Sequence, residues 1–214
     1  MKAEFEKLPP EDIERRSFEI IESELPHPLD PELAPIIKRV IHTTADFDYA
    51  DALCFSKTAL SAGFAALRAG ERIVTDTNMV KAGVNKAALA KLNTEALCFM
   101  ADEDVSSAAK QRNYTRAAAS MDKAASLPGR PIFAIGNAPT ALVRLYELIN
   151  EGLISPSLII GVPVGFVNVI QSKELIMQAD VPYIVARGRK GGSNVAAAIV
   201  NALMYDLTRN DLYR

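Results

Sequence analysis

The feature that most constrains the fold of this chain is a repeated alternation of short apolar runs with helix-periodic segments. Residues 72–75, 96–100, 131–135, 158–162 and 183–186 are apolar runs of four or five residues. They are short for a buried helix, and they lack the polar/apolar alternation of a strand with one wet face. Each is followed by a helical pattern. In 78–92, Met79, Val80, Val84, Ala88 and Leu92 recur at helical spacing, and 104–125, 140–150, 169–179 and 194–207 follow suit. Strands covered on both faces and alternating with helices build a parallel sheet through right-handed crossovers. The expected fold is therefore α/β: a Rossmann-like three-layer arrangement with a mainly parallel sheet.

A helical segment precedes this core. Pro10-Glu11-Asp12 places acids in the first turn of a helix running to about Glu24, and residues 26–31 break it. Residues 31–41 resume with Leu33, Ile36, Ile37, Val40 and Ile41, and 56–69 reads as a small-residue helix stopped by Gly70 at C′. No Gly/Ser linker and no repeat divides the chain, so 1–214 reads as one domain, with 1–45 helical and 46–214 the α/β core.

Composition removes several classes of function. With 49% hydrophobic residues the chain is not intrinsically disordered, and two cysteines cannot staple 214 residues. Cys54 and Cys98, each within Ala-Leu-Cys-Phe, read as buried, reduced thiols. Lys+Arg 24 against Asp+Glu 26 leaves no basic field for a nucleic acid. The N-terminus has no signal-peptide core, and no apolar run reaches the ~18 residues of a spanning helix, so the expectation is cytoplasmic and not membrane-bound.

In open α/β sheets ligands bind beyond the carboxyl ends of the strands. The turns there are 75–79, 101–104, 136–140, 161–165 and 187–194. The last carries Gly188, Gly191 and Gly192 with Arg187, Arg189 and Lys190, before a helix that Ser193 or Asn194 could cap. It reads either as an anion site at a helix N-terminus or as a solvated basic loop. It is neither a Walker motif nor G-x-G-x-x-G. Pro139 suits the first turn of a helix. Asp102, Glu103 and Asp104 read as helix-capping acids rather than metal ligands, because His27 and His42 are not spaced as a pair and no Cys-x-x-Cys exists.

His27, between two prolines, reads as exposed. His42 stands among hydroxyls, carboxylates and aromatics (residues 40–49) at a predicted helix end. A helix C-terminus favours imidazolium, which suits a general acid; the alternative is a histidine that only caps carbonyls. Lys110, Arg112, Tyr114 and Arg116 form a second basic group. On a continuous helix residues 112 and 116 share a face and could grip carboxylates, or could equally line a solvated face.

Several blocks in order resemble one family. Arg39-Val40-Ile41-His42-Thr43-Thr44-Ala45-Asp46 resembles the catalytic-histidine motif of the precorrin-8X methylmutases, a family that includes the cobalt-precorrin-8 methylmutases. Ile13-Glu14-Arg15-Arg16-Ser17-Phe18 and Thr75-Asp76-Thr77-Asn78-Met79-Val80-Lys81-Ala82-Gly83 look like further family blocks, as do segments 113–117, 134–140, 161–167 and 187–193.

The resemblance implies an isomerase that moves a methyl group from C11 to C12 of a corrin precursor, giving hydrogenobyrinate or its cobalt counterpart, cobyrinate. It implies a homodimer with sites near the interface. It also implies no cofactor, since the methyl is already on the ring and any cobalt travels in the substrate. It casts His42 as catalytic. Arg16, Ser17, Thr75, Thr77, Met79, Tyr114, Arg116, Arg187, Arg189 and Lys190 become substrate-binding candidates. Competing readings are a tetrapyrrole carrier, a nucleotide-binding enzyme and a purely structural assembly protein.

Overall fold

The computed structural model describes residues 8–208. Two helices open it, α1 (Pro10–Glu24) and α2 (Ala34–Thr44), then the short α3 (Tyr49–Ala52) and β1 (Leu53–Phe55). Next come α4 (Ala59–Arg68), β2 (Ile73–Thr75), α5 (Asn78–Gly83), α6 (Lys86–Lys91) and β3 (Ala96–Leu97). They are followed by α7 (Glu103–Arg112), α8 (Arg116–Ala124), β4 (Ile132–Ile135) and α9 (Pro139–Asn150). The chain continues through β5 (Leu158–Gly161), α10 (Val169–Ile176), β6 (Tyr183–Ala186) and α11 (Ser193–Thr208).

The six strands form one sheet in the order β1-β6-β5-β4-β2-β3. All neighbours are parallel except β1, which runs antiparallel to β6 with Leu53 opposite Ala186. Successive side chains of a strand point to opposite faces. Ile132 and Ala134 of β4 accordingly join a core with α2, α4, α5, α6 and α11. Phe133 and Ile135 join the opposite core with α8, α9 and α10. Both faces of β4 are dry, which is why its sequence is a continuous apolar run. The helix α1 packs on α2, and Ile21 and Phe18 extend the first core outward.

The alternation, the parallel sheet and the helical start agree with the sequence reading, and Gly70 does close α4, at φ +73°. Residues 1–7 of the expected helical segment lie outside the described residues. Three details differ. The expected helix 104–125 is two helices. Asn113 takes a left-handed φ of 52°, and Thr115 caps α8 by accepting from Ala118 N at 3.2 Å. Arg112 and Arg116 therefore do not share a helix face. The expected helix 78–92 is also two, because Val84 is extended and Asn85 caps α6 through Ala88 N. The antiparallel β1 was not foreseen: three residues carry too little pattern to reveal a strand.

Candidate active site

The chain leaves β2 for β3 on one side and resumes at β4 on the other, so the turns after β2 and β4 bound the crevice where ligands of such sheets bind. In this protein a side chain occupies the base of that crevice. Asp76 is fully buried. Its Oδ1 accepts from Gly136 N at 2.9 Å, and its Oδ2 accepts from Asn137 N at 2.8 Å and Ala138 N at 2.7 Å. Burial pushes the Asp76 carboxyl above its usual range, while the three N–H donors pull the other way. The N–H groups of the turn that leads into α9 are thus already taken.

Thr75 is also fully buried, and its hydroxyl donates to Leu97 O at 3.0 Å and Thr77 O at 3.1 Å. It ties β2 to β3 beneath the surface. Thr77 caps α5 through Val80 N and lies 3.0 Å, oxygen to oxygen, from the Ser193 hydroxyl. A Cβ on Gly136 would stand 2.7 Å from Ser193 Cα, so the turns after β2, β4 and β6 form one packed base. Met79, by contrast, is 71% exposed at the rim.

The loop after β6 packs on the turn after β5. Gly192 N donates to Val162 O at 2.9 Å, and Gly165 N donates to Arg189 O at 3.2 Å. Gly188 sits at φ +75°, and a Cβ on Gly191 would meet Val162 O at 2.1 Å. That oxygen belongs to the backbone and cannot yield cheaply. Gly191→Ala is therefore expected to destabilise the protein by about 2 kcal/mol, within the usual range for overpacking. A lower urea midpoint at unchanged slope would register it.

Lys190 Nζ reaches Asp46 Oδ2 at 2.7 Å and also pairs with Asp48, which raises its pKa far above the usual lysine value. This pair ties the loop to the segment that follows His42. Arg187 and Arg189 are exposed, and Arg189 lies 5.6 Å from the centre of the Phe166 ring. One residue at this loop went unnoticed in the sequence. Lys173 of α10 is fully buried, and its Nζ donates to Gly188 O at 2.9 Å and Lys190 O at 2.8 Å. Burial lowers its pKa to about 8. The neutral amine keeps two N–H groups, so either protonation state can supply both bonds. The available signal was a lysine on the apolar stripe Val169, Ser172, Ile176.

His42 stands in the last turn of α2 with its ring stacked on Phe18, centroids 5.3 Å apart and planes 25° apart. Among the described residues neither ring nitrogen has a hydrogen-bond partner, and the residue is exposed at its edge. Its pKa lies below the usual value, through burial of the ring first and the nearby Arg39 second, with Glu14 opposing. This corrects the expectation that the helix end would favour imidazolium. Three carbonyls of the last turns of this helix are engaged by other donors. Ala45 N donates to Ile41 O, Thr43 Oγ1 to Arg39 O and Thr44 Oγ1 to Val40 O. His42 is thus not the carbonyl cap of its own helix.

On α1, Arg16 pairs loosely with Glu19 at 3.4 Å, and the Ser17 hydroxyl donates to Ile13 O at 2.9 Å. They directly precede Phe18 in the chain. The second basic group is divided. Tyr114 donates to the Asp122 carboxylate, to which Arg112 also binds at 2.9 Å and Arg144 at 2.6 Å. Arg116 is exposed in the first turn of α8. The contact between Thr115 and Thr140, 2.8 Å between their hydroxyl oxygens, places it beside the head of α9. Asp102, at the N-cap of α7, makes no side-chain cap bond, whereas Asp104 Oδ1 accepts from Val105 N at 2.9 Å in the first turn, as the capping reading expects. Both carboxylates also pair with Lys123 at 2.7 Å. Lys123 holds Asp102 away from the helix N–H groups. Cys54 and Cys98 are half-buried free thiols rather than fully buried ones. His27 is exposed, as expected, and pairs with Asp51 at 2.9 Å.

A cavity of about 720 Å³ runs between α1 and α2 along Phe18, Leu29 and Pro35, away from the strand ends. At the strand ends the conspicuous feature is bare apolar surface: besides Met79, Phe166 is 84% exposed, and Val164 and Val167 are exposed beside it.

The fold and these turns define the class as a doubly wound α/β protein with a basic glycine-rich loop beyond the carboxyl ends of its strands and an exposed imidazole on α2. A sequence profile of the precorrin-8X methylmutases matches residues 12–206. The chain belongs to the precorrin-8X methylmutase family and is an isomerase. It is 46% identical to the cobalt-precorrin-8 methylmutase of Priestia megaterium, over 94% of this chain and 91% of that one. It is 41% identical to the precorrin-8X methylmutase of Pseudomonas aeruginosa, over 89% and 93%. The crystal structure of precorrin-8X methylmutase from Thermus thermophilus superposes with a TM-score of 0.84 at 39% identity, covering 93% of this chain and 98% of that one.

Proposed function

We propose that this isomerase acts in cobalamin biosynthesis and shifts a methyl group from C11 to C12 of precorrin-8X or its cobalt form, yielding hydrogenobyrinate or cobyrinate. The observation that carries this reading is His42, a solvent-accessible imidazole with no hydrogen-bond partner among the described residues, stacked on Phe18 and just ahead in the chain of Asp46, to which Lys190 ties the loop after β6. A 1,5-sigmatropic shift breaks the C11–methyl bond as the C12–methyl bond forms, and no atom or electron enters or leaves overall. His42 donates a proton to the conjugated system, polarises it and takes the proton back. The reaction calls for neither S-adenosylmethionine nor nicotinamide, because the methyl group is already on the macrocycle.

In the ligand-free protein His42 is mostly neutral at pH 7, since its pKa is lowered. A substrate bearing several carboxylates changes that. Negative charge near the ring favours imidazolium, so the proton arrives with the substrate. The exposed guanidiniums of Arg116, Arg187 and Arg189 are suited to those carboxylates. Lys190 serves the site by fixing the loop to Asp46 and Asp48. Met79, Val164, Phe166 and Val167 supply apolar surface for the macrocycle or for a second copy of the chain. A homodimer with the site near its interface would complete a pocket whose walls a single chain leaves open.

The test is visible absorption of the protein mixed with precorrin-8X and, separately, with cobalt-precorrin-8. Conversion of either to a corrin spectrum is the expected result. Binding of both without conversion would instead identify a carrier.

A further inference from the structure

A lysine side chain with no exposed surface is an expensive way to fill space, because the ammonium loses its hydration. Methionine would fill the same slot without that cost. Lys173 makes two described hydrogen bonds, to Gly188 O and Lys190 O, and both acceptors belong to one loop. That loop has no regular structure of its own. Gly188 is left-handed, Gly191 is pressed on Val162 O, and the loop is also tied through Gly192 N and Arg189 O to the turn after β5, through Arg187 N to Ala52 O, and through the Lys190 side chain to Asp46 and Asp48. Without Lys173 these two carbonyls would lose the donor that a fully buried side chain supplies.

We infer that Lys173 is a positioning residue: by pinning the carbonyls of Gly188 and Lys190 it sets where Arg187 and Arg189 stand. The inference rests on the reading of that loop as part of the substrate site. Lys173 reaches no substrate atom; it acts through the loop backbone. Its contribution therefore falls on affinity for a polycarboxylate corrin, whereas the proton step belongs to His42 on α2.

The experiment compares Lys173→Met, which keeps volume and removes the donors, with Lys173→Gln, which keeps two N–H donors on a shorter stem. The probe is hydrogenobyrinate, titrated by absorbance, alongside steady-state turnover of precorrin-8X. Lys173→Met is expected to raise Kd and KM about tenfold while kcat stays within about threefold, the pattern of lost binding rather than lost chemistry. Lys173→Gln is expected to fall between it and the parent protein.

The discriminating arm is a cycle with the double variant Arg187→Ala/Arg189→Ala. If Lys173 acts through those arginines, the combined loss is well short of the sum of the separate losses. Additive losses, or a Lys173→Met protein that binds like the parent, overturn the inference while leaving the site reading intact. No loss in Arg187→Ala/Arg189→Ala overturns both. Should Lys173→Met fail to fold, Lys173→Gln carries the same cycle with the same outcomes.

Discussion

His42→Ala is expected to lower kcat by about 10²- to 10⁴-fold, the usual range for removing a positioned proton donor, while hydrogenobyrinate still binds within about threefold of the parent affinity. Thermal stability should change little, because the residue is exposed and the lost contact is one ring stack on Phe18, an interaction of about 0.5–1.5 kcal/mol. The pH profile makes the test sharper. His42 must be protonated to donate, so activity falls as pH rises through its pKa. For kcat/KM, which reports the free protein, the fall is expected below pH 6.5, because the pKa is lowered from that value. For kcat, which reports the complex, bound carboxylates move the fall to higher pH. Two coincident profiles would contradict the substrate-borne protonation, and full turnover by His42→Ala would end the proposed role.

The largest expected effect on stability belongs to Asp76→Ala. It strips three N–H groups of their acceptor at once, that of Gly136 in a buried bond and those of Asn137 and Ala138 in part-buried ones. Each unpaired buried donor costs about 1–3 kcal/mol, partly relieved if water enters, so a loss of about 3–5 kcal/mol is expected. For a chain of this size that is a fall in melting temperature of roughly 6–15 °C. Asp76→Asn should recover only part of it, since its amide nitrogen cannot accept from the N–H groups at the head of α9. A melting temperature unchanged in Asp76→Ala would mean that the carboxylate does not hold the turns after β2 and β4 together. The two substitutions should therefore separate: one abolishes chemistry in a stable protein, the other weakens the platform on which the chemistry stands.

Much of this architecture is written in local pattern. The runs at β4, β5 and β6 are apolar without alternation because each strand is covered on both faces, and a burial requirement of that kind shows in a few consecutive residues. The helix from Pro10 to Glu24 is legible from its proline start and acidic first turn. Local competition is harder to read. The helical period of 104–125 masked the stop at Asn113 and the new cap at Thr115, although both residue types favour those places. Among the site residues, His42 and the basic loop after β6 stood out by residue type alone. Lys173 and Asp76 did not, because a lysine or aspartate reads as surface until its partners are known.

The sequence by itself determined the layered α/β fold, the order of its strand-to-helix turns and the family to which the chain belongs. These depend on short-range periodicity and on blocks of residues met in order. Tertiary structure alone decided how those turns are used. Asp76 finds its donors some sixty residues away, at Gly136, and Thr77 meets Ser193 across 116 positions of chain. The neutrality of His42, the closed base of the crevice and the anchoring of the loop by Lys173 follow from desolvation and from contacts through space. Neither quantity has a local signature, since both depend on which distant groups the fold brings within about 3 Å of each other.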